Sequence, residues 1–517
     1  ASAEAFDLAR RWVQGCIQNH PACAAESELF MPKRILEISS STKSIHVRNN
    51  ASPAPYAALS YCWGGPQRVT LTLSHLGSPE VSFPTNTLPS TIQDAVRVCG
   101  ELGLNYLWVD ALCIVQDDPE DKAVEISNMA DIYRNSYVTI SASRAKTVDL
   151  GFLQPRSPLG AGNDPCAFRL PYESKDRVAG SVVLIEEASS QLYVDPLSTR
   201  AWAFQEFVLS PRVLDYGELR TTWICKADNK PTDGFMSSPT SCWSRQRFHE
   251  LFSAASKATL KPHELWSVLV QCYMSGDLTE ASDRLPALAG IASRFHQIIQ
   301  DDYIAGCWKK HIWLDLLWWH EATEQKRPSR YFAPSWSWAS IPNTYGKFNC
   351  ISTNSCLVDD AFEVLDYKIQ PLHQGFQYGS LASGFLQIRG RIVAAECLPA
   401  LANIQHNNTN TEVDVPGHVR LPLSSSIIRD PEFQQFDCSA CPVSGLLVCW
   451  DKKRSLIRGI LLCEVKPEYF IRAGLLTVER GYVIPGGNGR SNDWTKAVVS
   501  SFKVWRESLP IKRMKIF

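Results

Sequence analysis

The chain has 517 residues, 45% hydrophobic and 20% charged, enough for more than one packed core and too apolar for a disordered protein. Its 52 Lys plus Arg against 53 Asp plus Glu leave a formal charge of −1, so no global field draws it to nucleic acid or to an anionic membrane surface. The 17 scattered cysteines read as free thiols of a reducing compartment; with no signal peptide at Ala1-Ser2-Ala3 and no apolar run near the ~20 residues of a membrane helix, a soluble cytoplasmic protein is expected.

Ala9, Trp12, Val13, Cys16 and Ile17 recur at helical spacing and predict an amphipathic helix closing near His20-Pro21. Residues 39 to 54 form a polar, Ser-rich connection. Tyr56 to Tyr61 predicts a buried strand, stopped by Cys62-Trp63-Gly64-Gly65-Pro66. After Pro89, Ser90 and Gln93 stand at capping-box spacing, and Ile92, Ala95, Val96, Cys99 and Leu102 make the apolar face of a helix that Gly103 ends. Tyr106 to Val109 is a second strand, running into Asp110-Ala111-Leu112-Cys113-Ile114. Asp118-Pro119-Glu120 opens another helix, which buries Ile126, Met129, Ala130 and Tyr133. Tyr137 to Ala142 is a third strand. Strand, helix, strand, helix, strand at this spacing predicts a parallel sheet joined by crossover helices.

Beyond it, Ser198 can cap a helix through Leu209, and residues 264 to 275 and 283 to 298 read as helices. From about residue 385, β-rich runs such as Phe385 to Ile388 and Gly445 to Trp450 alternate with turns, and residues 403 to 416 read as a surface loop. The organisation expected is a helical lead-in over 1–55, an α/β core over 56–215, a mainly helical region packed on the core over 216–375, and a β-rich region over 376–517.

Ligands of an open parallel sheet bind beyond the carboxyl ends of its strands. Cys62-Trp63-Gly64, Asp110 to Gln116 and Ser141 to Arg144 arrive there. Asp110 can orient a base, hold a ribose hydroxyl or cap a loop. Trp202, Gln205, Glu206 and Leu209 share one helix face, so the polar pair either lines a cleft or closes a network with Arg200 and Arg212. Cys62 and Cys113 are nucleophiles if a neighbour activates the thiol, and core packing otherwise. Trp63, Trp336 and Trp338 either stack on a planar ligand or fill a core. Cys438-x-x-Cys441 is a lone pair, and Cys16, His20 and Cys23 read as packing, so neither metal nor cofactor is expected. No P-loop, dinucleotide fingerprint, G-x-S-x-G or H-E-x-x-H motif is present.

Four ordered blocks, YAALSYCWG from Tyr56, LPSTIQDA from Leu88, YLWVDALCIVQ from Tyr106 and MADIYRNSYVTISA from Met129, resemble the core of the fungal heterokaryon-incompatibility (HET) domain. PLSTRAWAFQE from Pro196, DRLPALAGIA from Asp283 and APSWSWA from Ala333 resemble its flanking blocks. The resemblance implies a TIR-like, flavodoxin-like parallel-sheet core with helical insertions and a β-rich C-terminal region. It also implies a role in non-self recognition that ends in programmed cell death, with a protein partner in recognition. The family pattern usually keeps Cys at the position of Cys113 and varies at that of Cys62, which makes Cys113 the expected nucleophile. Asp110 and Glu206 are its acidic partners. Cys62, Trp63, Gly64, Gln116, Arg200, Trp202, Gln205, Trp336 and Trp338 are the expected substrate contacts.

Three readings stand at this point. One is a cell-death effector whose core hydrolyses a nucleotide such as NAD with Glu206 or Asp110. The second is a small-molecule enzyme of fungal secondary metabolism, a cyclising or tailoring catalyst using Cys113. The third is a non-catalytic interaction module.

Overall fold

The computed structural model describes residues 2–23, 30–38, 44–78, 80–156, 167–173, 179–185, 194–227, 229–231, 261–320, 330–341, 348–350, 356–394, 409–413, 421–429, 443–451, 456–480 and 506–517, with a few isolated positions besides. The chain separates into two compact units, Ala1–Thr259 and Leu260–Phe517. No helix among the described residues is long and apolar enough to cross a membrane.

The strands of the first unit are β1 (Arg34–Ile38), β2 (Ser44–Asn49), β3 (Ala57–Ser60), β4 (Val81–Pro84), β5 (Tyr106–Trp108), β6 (Val138–Ser141), a hairpin β7 (Ala167–Glu173) and β8 (Ala179–Ile185), β9 (Arg212–Tyr216), β10 (Thr221–Cys225) and β11 (Asn229–Pro231). Its helices among the described residues include α1 (Ala3–Asn19), α2 (Leu73–Leu76), α3 (Ser90–Leu102), α4 (Asp110–Cys113), α5 (Pro119–Arg134) and α6 (Ala201–Leu209). Nine strands form one mixed sheet in the order β11-β10-β9-β6-β3-β5-β1-β2-β4. Its centre, β5-β3-β6-β9, is parallel, and antiparallel strands extend both flanks.

Every residue of β3 (Ala-Ala-Leu-Ser) and β6 (Val-Thr-Ile-Ser) is buried, as expected of strands covered on both faces. From β3 the chain crosses through α3 to β5 on one side. Through α5 it then passes back to β6 on the other side, and through α6 on to β9. The crossovers therefore diverge between β3 and β6, and the carboxyl ends of those two strands flank the switch point where open α/β sheets hold ligands.

Asp118 caps α5 as expected, accepting from the amides of Glu120 at 3.0 Å and Asp121 at 3.3 Å. The buried face of α5 differs from the expected one. It carries Asp121, Glu125, Met129, Ile132 and Tyr133, with Ile126 and Ala130 only half-buried. Ser90 is no capping-box residue, since Pro89 holds the cap position and Gln93 Nε2 donates to the Leu88 carbonyl at 2.6 Å. Nor does Ser198 cap α6: its hydroxyl donates to the Asp195 carbonyl within a 3-10 turn, Pro196–Thr199. The polar connection and lead-in also contribute sheet, because β2 pairs with β1 and β1 with β5.

The second unit holds helices Pro262–Met274 and Ala289–Ile299 and a β-rich sheet with the long strands Leu381–Ala394, Val443–Asp451, Leu456–Lys466 and Tyr469–Arg480. Within the expected loop at 403 to 416, Thr409–Val413 is a strand paired with Leu421–Arg429; the rest of that stretch lies outside the described residues. Trp266, Trp308, Trp336 and Trp338 are buried in this unit.

Candidate functional site

Ser60 and Ser141 end the two strands that flank the switch point, and they sit side by side in register. Ser141 is in turn level with Asp215 on β9. Register partners of parallel strands point to the same face, so one row runs Ser60, Ser141, Asp215. Glu206, reached from α6, accepts a hydrogen bond from the Ser60 hydroxyl. At the other end of the row, Ser141 and Ser143 hydroxyls lie 2.9 Å apart and Ser143 donates to Asp215. The buried Glu206 carboxyl and the half-buried Asp215 carboxyl thus bracket three buried hydroxyls.

Burial pushes the Glu206 carboxyl up to about 7, against the opposing hydrogen bond from Ser60; the nearby charge of Asp110 raises it further. Burial pushes Asp215 up to about 6, with Ser143 pulling the other way. Groups poised near neutrality are characteristic of proton-transfer sites, and also of buried networks.

Asp110, at the start of α4, is clamped. Its carboxylate accepts from Tyr61 Oη at 2.9 Å, Trp63 Nε1 at 2.8 Å and the Ala111 amide at 2.7 Å. Burial raises its pKa while these three donors hold it down. The loop after β3 is thereby tied to the turn after β5. Tyr133 of α5 reaches into the same region, donating to the Leu59 carbonyl at 2.9 Å and hydrogen bonding to Glu206. Arg200 donates to the Cys62 sulfur, and its charge favours the ionised forms of Cys62, Asp110 and Glu206.

The structure therefore brings Asp110, Glu206, Cys62, Trp63 and Arg200 into one neighbourhood, together with Ser60, Tyr61, Tyr133, Ser141, Ser143 and Asp215. Gln205 is buried on α6, and Trp202 is half-buried against the core of the unit. Gln116 is committed to the backbone, donating from Nε2 to the carbonyls of Asp110 and Ile114, both at 3.1 Å. Gly64 serves the turn. Its φ of +73° and the side chain of Thr147, 2.4 Å from where a Cβ would stand, require glycine.

Cys113 requires a correction. The thiol is 0% exposed, and burial pushes its pKa up to about 12. Its charged neighbours include Arg34 and Glu125, and its carbonyl accepts from Arg34 Nε at 2.6 Å. A neutral, sealed thiol is no nucleophile. Cys113→Ala is expected to cost about 1–2 kcal/mol of stability while leaving any activity of the Glu206 site intact. Native alkylation should accordingly leave Cys113 unmodified in a peptide map, and denaturation should expose it.

Trp336 and Trp338 are also corrected. They belong to the core of the second unit, at 0% and 2% exposure, with Trp338 Nε1 donating to the Gly306 carbonyl at 2.8 Å. No ligand could stack on rings sealed in this way. A pocket of that unit, lined by Asp301, Lys310, Trp313 and Phe362 among others, contains none of the expected residues. Cys438 and Cys441 lie outside the described residues. Cys16, His20 and Cys23, read as packing from the sequence, converge with Cys225.

Ser60 and Asp215 are not visible as site residues in the sequence, and Ser143 is visible only as part of the segment Ser141 to Arg144. Ser60 closes an apolar strand and looks like part of it. Asp215 lies on β9, a strand without the alternating or β-branched run that marked the others.

Residues 56–206 match the family model described as Heterokaryon incompatibility protein (HET). Over 97 residues the chain is 32% identical to heterokaryon incompatibility protein 6, OR allele, of Neurospora crassa. That alignment spans 17% of this chain and 14% of the Neurospora protein. No solved structure matches the chain.

Proposed function

From the premise that residues 56–206 are a heterokaryon-incompatibility (HET) domain, we propose that the protein is an effector of fungal non-self recognition whose TIR-like core hydrolyses a nucleotide of the NAD type. The observation that carries the reading is the position of Glu206, a carboxyl held near neutrality at the switch point of a parallel sheet. The strand order β5-β3-β6-β9, which is 2-1-3-4 in order of appearance, agrees with a flavodoxin-like core.

The chemistry suits an N-glycosidic bond between ribose and a cationic ring. Ionised Glu206 stabilises the positive charge that develops on the ribose as that bond breaks, and the bond's electron pair neutralises the departing nicotinamide. Water adds to the ribose carbon, and its proton passes to the carboxylate and on to solvent. Arg200 supplies a cation for a phosphate, and Trp63 a ring for stacking, in this reading.

The test is direct. Purified protein incubated with NAD should release nicotinamide and ADP-ribose in equal amounts, followed by chromatography, with a rate that rises as pH passes through about 7 and Glu206 ionises. Absence of product over a range of protein concentrations, including crowded or oligomerised samples, would leave the same polar row as a device that fixes the fold of an interaction module. The cysteine-enzyme reading loses its support with the burial of Cys113.

A further inference from the structure

Three of the four groups concerned come from the end of α1 and the turn after it. Cys16 lies on the buried face of the helix, His20 is its C-cap residue, and Cys23 ends the 3-10 turn Pro21–Cys23. The spacing Cys-x3-His-x2-Cys turns all three toward one point. The fourth, Cys225, is the last residue of β10 and lies 205 positions from His20 in the chain. One ligand atom from each of the four falls within 4.8 Å of all the others.

That is the size of a zinc tetrahedron. With Zn–S near 2.3 Å and Zn–N near 2.0–2.1 Å, sulfur–sulfur edges are about 3.8 Å and sulfur–nitrogen edges about 3.5 Å. Cys225 Sγ and His20 Nδ1 are 3.4 Å apart. Cys16, Cys23 and Cys225 are buried free thiols and His20 is partly exposed.

The surroundings are those of thiolates. Arg212 Nε donates to Cys16 Sγ at 3.4 Å while its Nη1 is fixed on the Tyr137 carbonyl at 3.1 Å. The backbone amides of Lys226 and Ala227 donate to the Cys23 sulfur, and the Ala227 amide also to that of Cys225. Donors aimed at sulfur orient metal-bound thiolates. Three thiolates and a divalent ion sum to −1, which the Arg212 guanidinium balances. Simple packing of four apolar-behaving groups would call for none of these donors, and a disulfide would use only two of three sulfurs and leave the imidazole idle.

We propose that Cys16, His20, Cys23 and Cys225 bind a structural zinc ion that staples α1 to β10, outside the stretch matched by the HET family model. The ligand set is complete at four protein groups, so the ion has no open position for substrate and acts on stability. Binding releases the three thiol protons, so affinity rises with pH. The Cys-x3-His-x2-Cys segment alone is not a zinc motif; only folding of the sheet adds the fourth ligand.

The full-length protein, purified without chelator and dialysed against metal-free buffer, should carry about one zinc per chain by inductively coupled plasma mass spectrometry. Cobalt exchanged into it should show the intense visible bands of tetrahedral, thiolate-bound Co(II). Cys225→Ser and His20→Ala should each lower the zinc content at least tenfold, whereas His20→Cys restores it and Cys99→Ser, a buried thiol elsewhere in the same unit, leaves it unchanged. Should the Ser and Ala variants not fold, the cobalt spectrum of the parent protein decides. Zinc no higher than in Cys225→Ser, a disulfide among these cysteines in a non-reducing peptide map, or iron in place of zinc would each overturn the proposal.

Discussion

Glu206→Gln is expected to lose nicotinamide release by at least about a hundredfold and, at pH 8, to be more stable than the parent by on the order of 2–3 kcal/mol. Both effects come from one burial. A carboxyl raised in the fold from 4.5 to about 7 binds its proton more tightly folded than unfolded. Its favourable contribution is therefore complete below pH 4.5 and lost as pH rises through about 7. Gln keeps the shape of the protonated acid and can accept from Ser60, but carries no charge to desolvate. The parent's stability should fall between pH 4.5 and 7 and the variant's should fall less. Asp215, raised to about 6, contributes a slope of the same sign that the Glu206→Gln substitution does not remove. Urea melts at several pH values, set beside the NAD assay, separate the outcomes. Lost activity with a gain in stability marks a functional carboxylate. Retained activity removes Glu206 from the chemistry, and a loss of stability at every pH marks it as a tie in the fold.

This opposition between stability and charge explains which parts of the fold were legible in the sequence. Burial of apolar surface is written in local patterns. The runs at Tyr56, Tyr106 and Tyr137 and the capped helices between them predicted the parallel centre of the sheet, and the structure has strands at all three. Strands such as the flanking β1 and β2 and the central β9 mix charged and apolar residues and gain their burial from neighbours in the sheet, so short-range periodicity does not reveal them. At the carboxyl ends of these strands Trp63 donates to Asp110, and Ser60 lies in register with Ser141. The direction of a single side chain is not written in such patterns. On the one-turn helix α4, Asp110 faces Tyr61 and Trp63 while Cys113, three residues on, faces the core. A four-residue turn has too little periodicity to tell the two apart. Cys225 shows the complementary limit, because a ligand supplied from 205 residues away leaves no spacing to read.

Arg34→Met should destabilise the first unit by about 3–5 kcal/mol, the range for removing one partner of a buried ion pair. Arg34 is 3% exposed on β1 and pairs with Asp121 of α5, whose carboxylate also accepts from Lys33 Nζ at 2.9 Å and the Val115 amide at 3.0 Å. Burial raises the pKa of Asp121, but these donors together hold it below its ordinary value. One turn further along α5, Glu125 is wholly buried, and burial raises its pKa against the opposing charge of Arg34. Methionine fills much of the same volume and leaves the two carboxyls facing each other with Lys33 still beside them as a cation. The deficit should therefore be largest at pH 8 and shrink toward about pH 5 and below as the acids take up protons. Arg34 also donates from Nε to the Cys113 carbonyl at the end of α4, one turn from Asp110. Loosening that anchor should lower activity at the Glu206 site as well, through the position of Asp110. Arg34→Lys keeps the charge without the planar fork and should recover part of the stability. Urea melts at pH 8 and pH 5 read the effect. A loss under about 1 kcal/mol at pH 8, or a deficit that does not change with pH, would show that the acids on α5 do not depend on this guanidinium and that α4 is held by its apolar contacts alone.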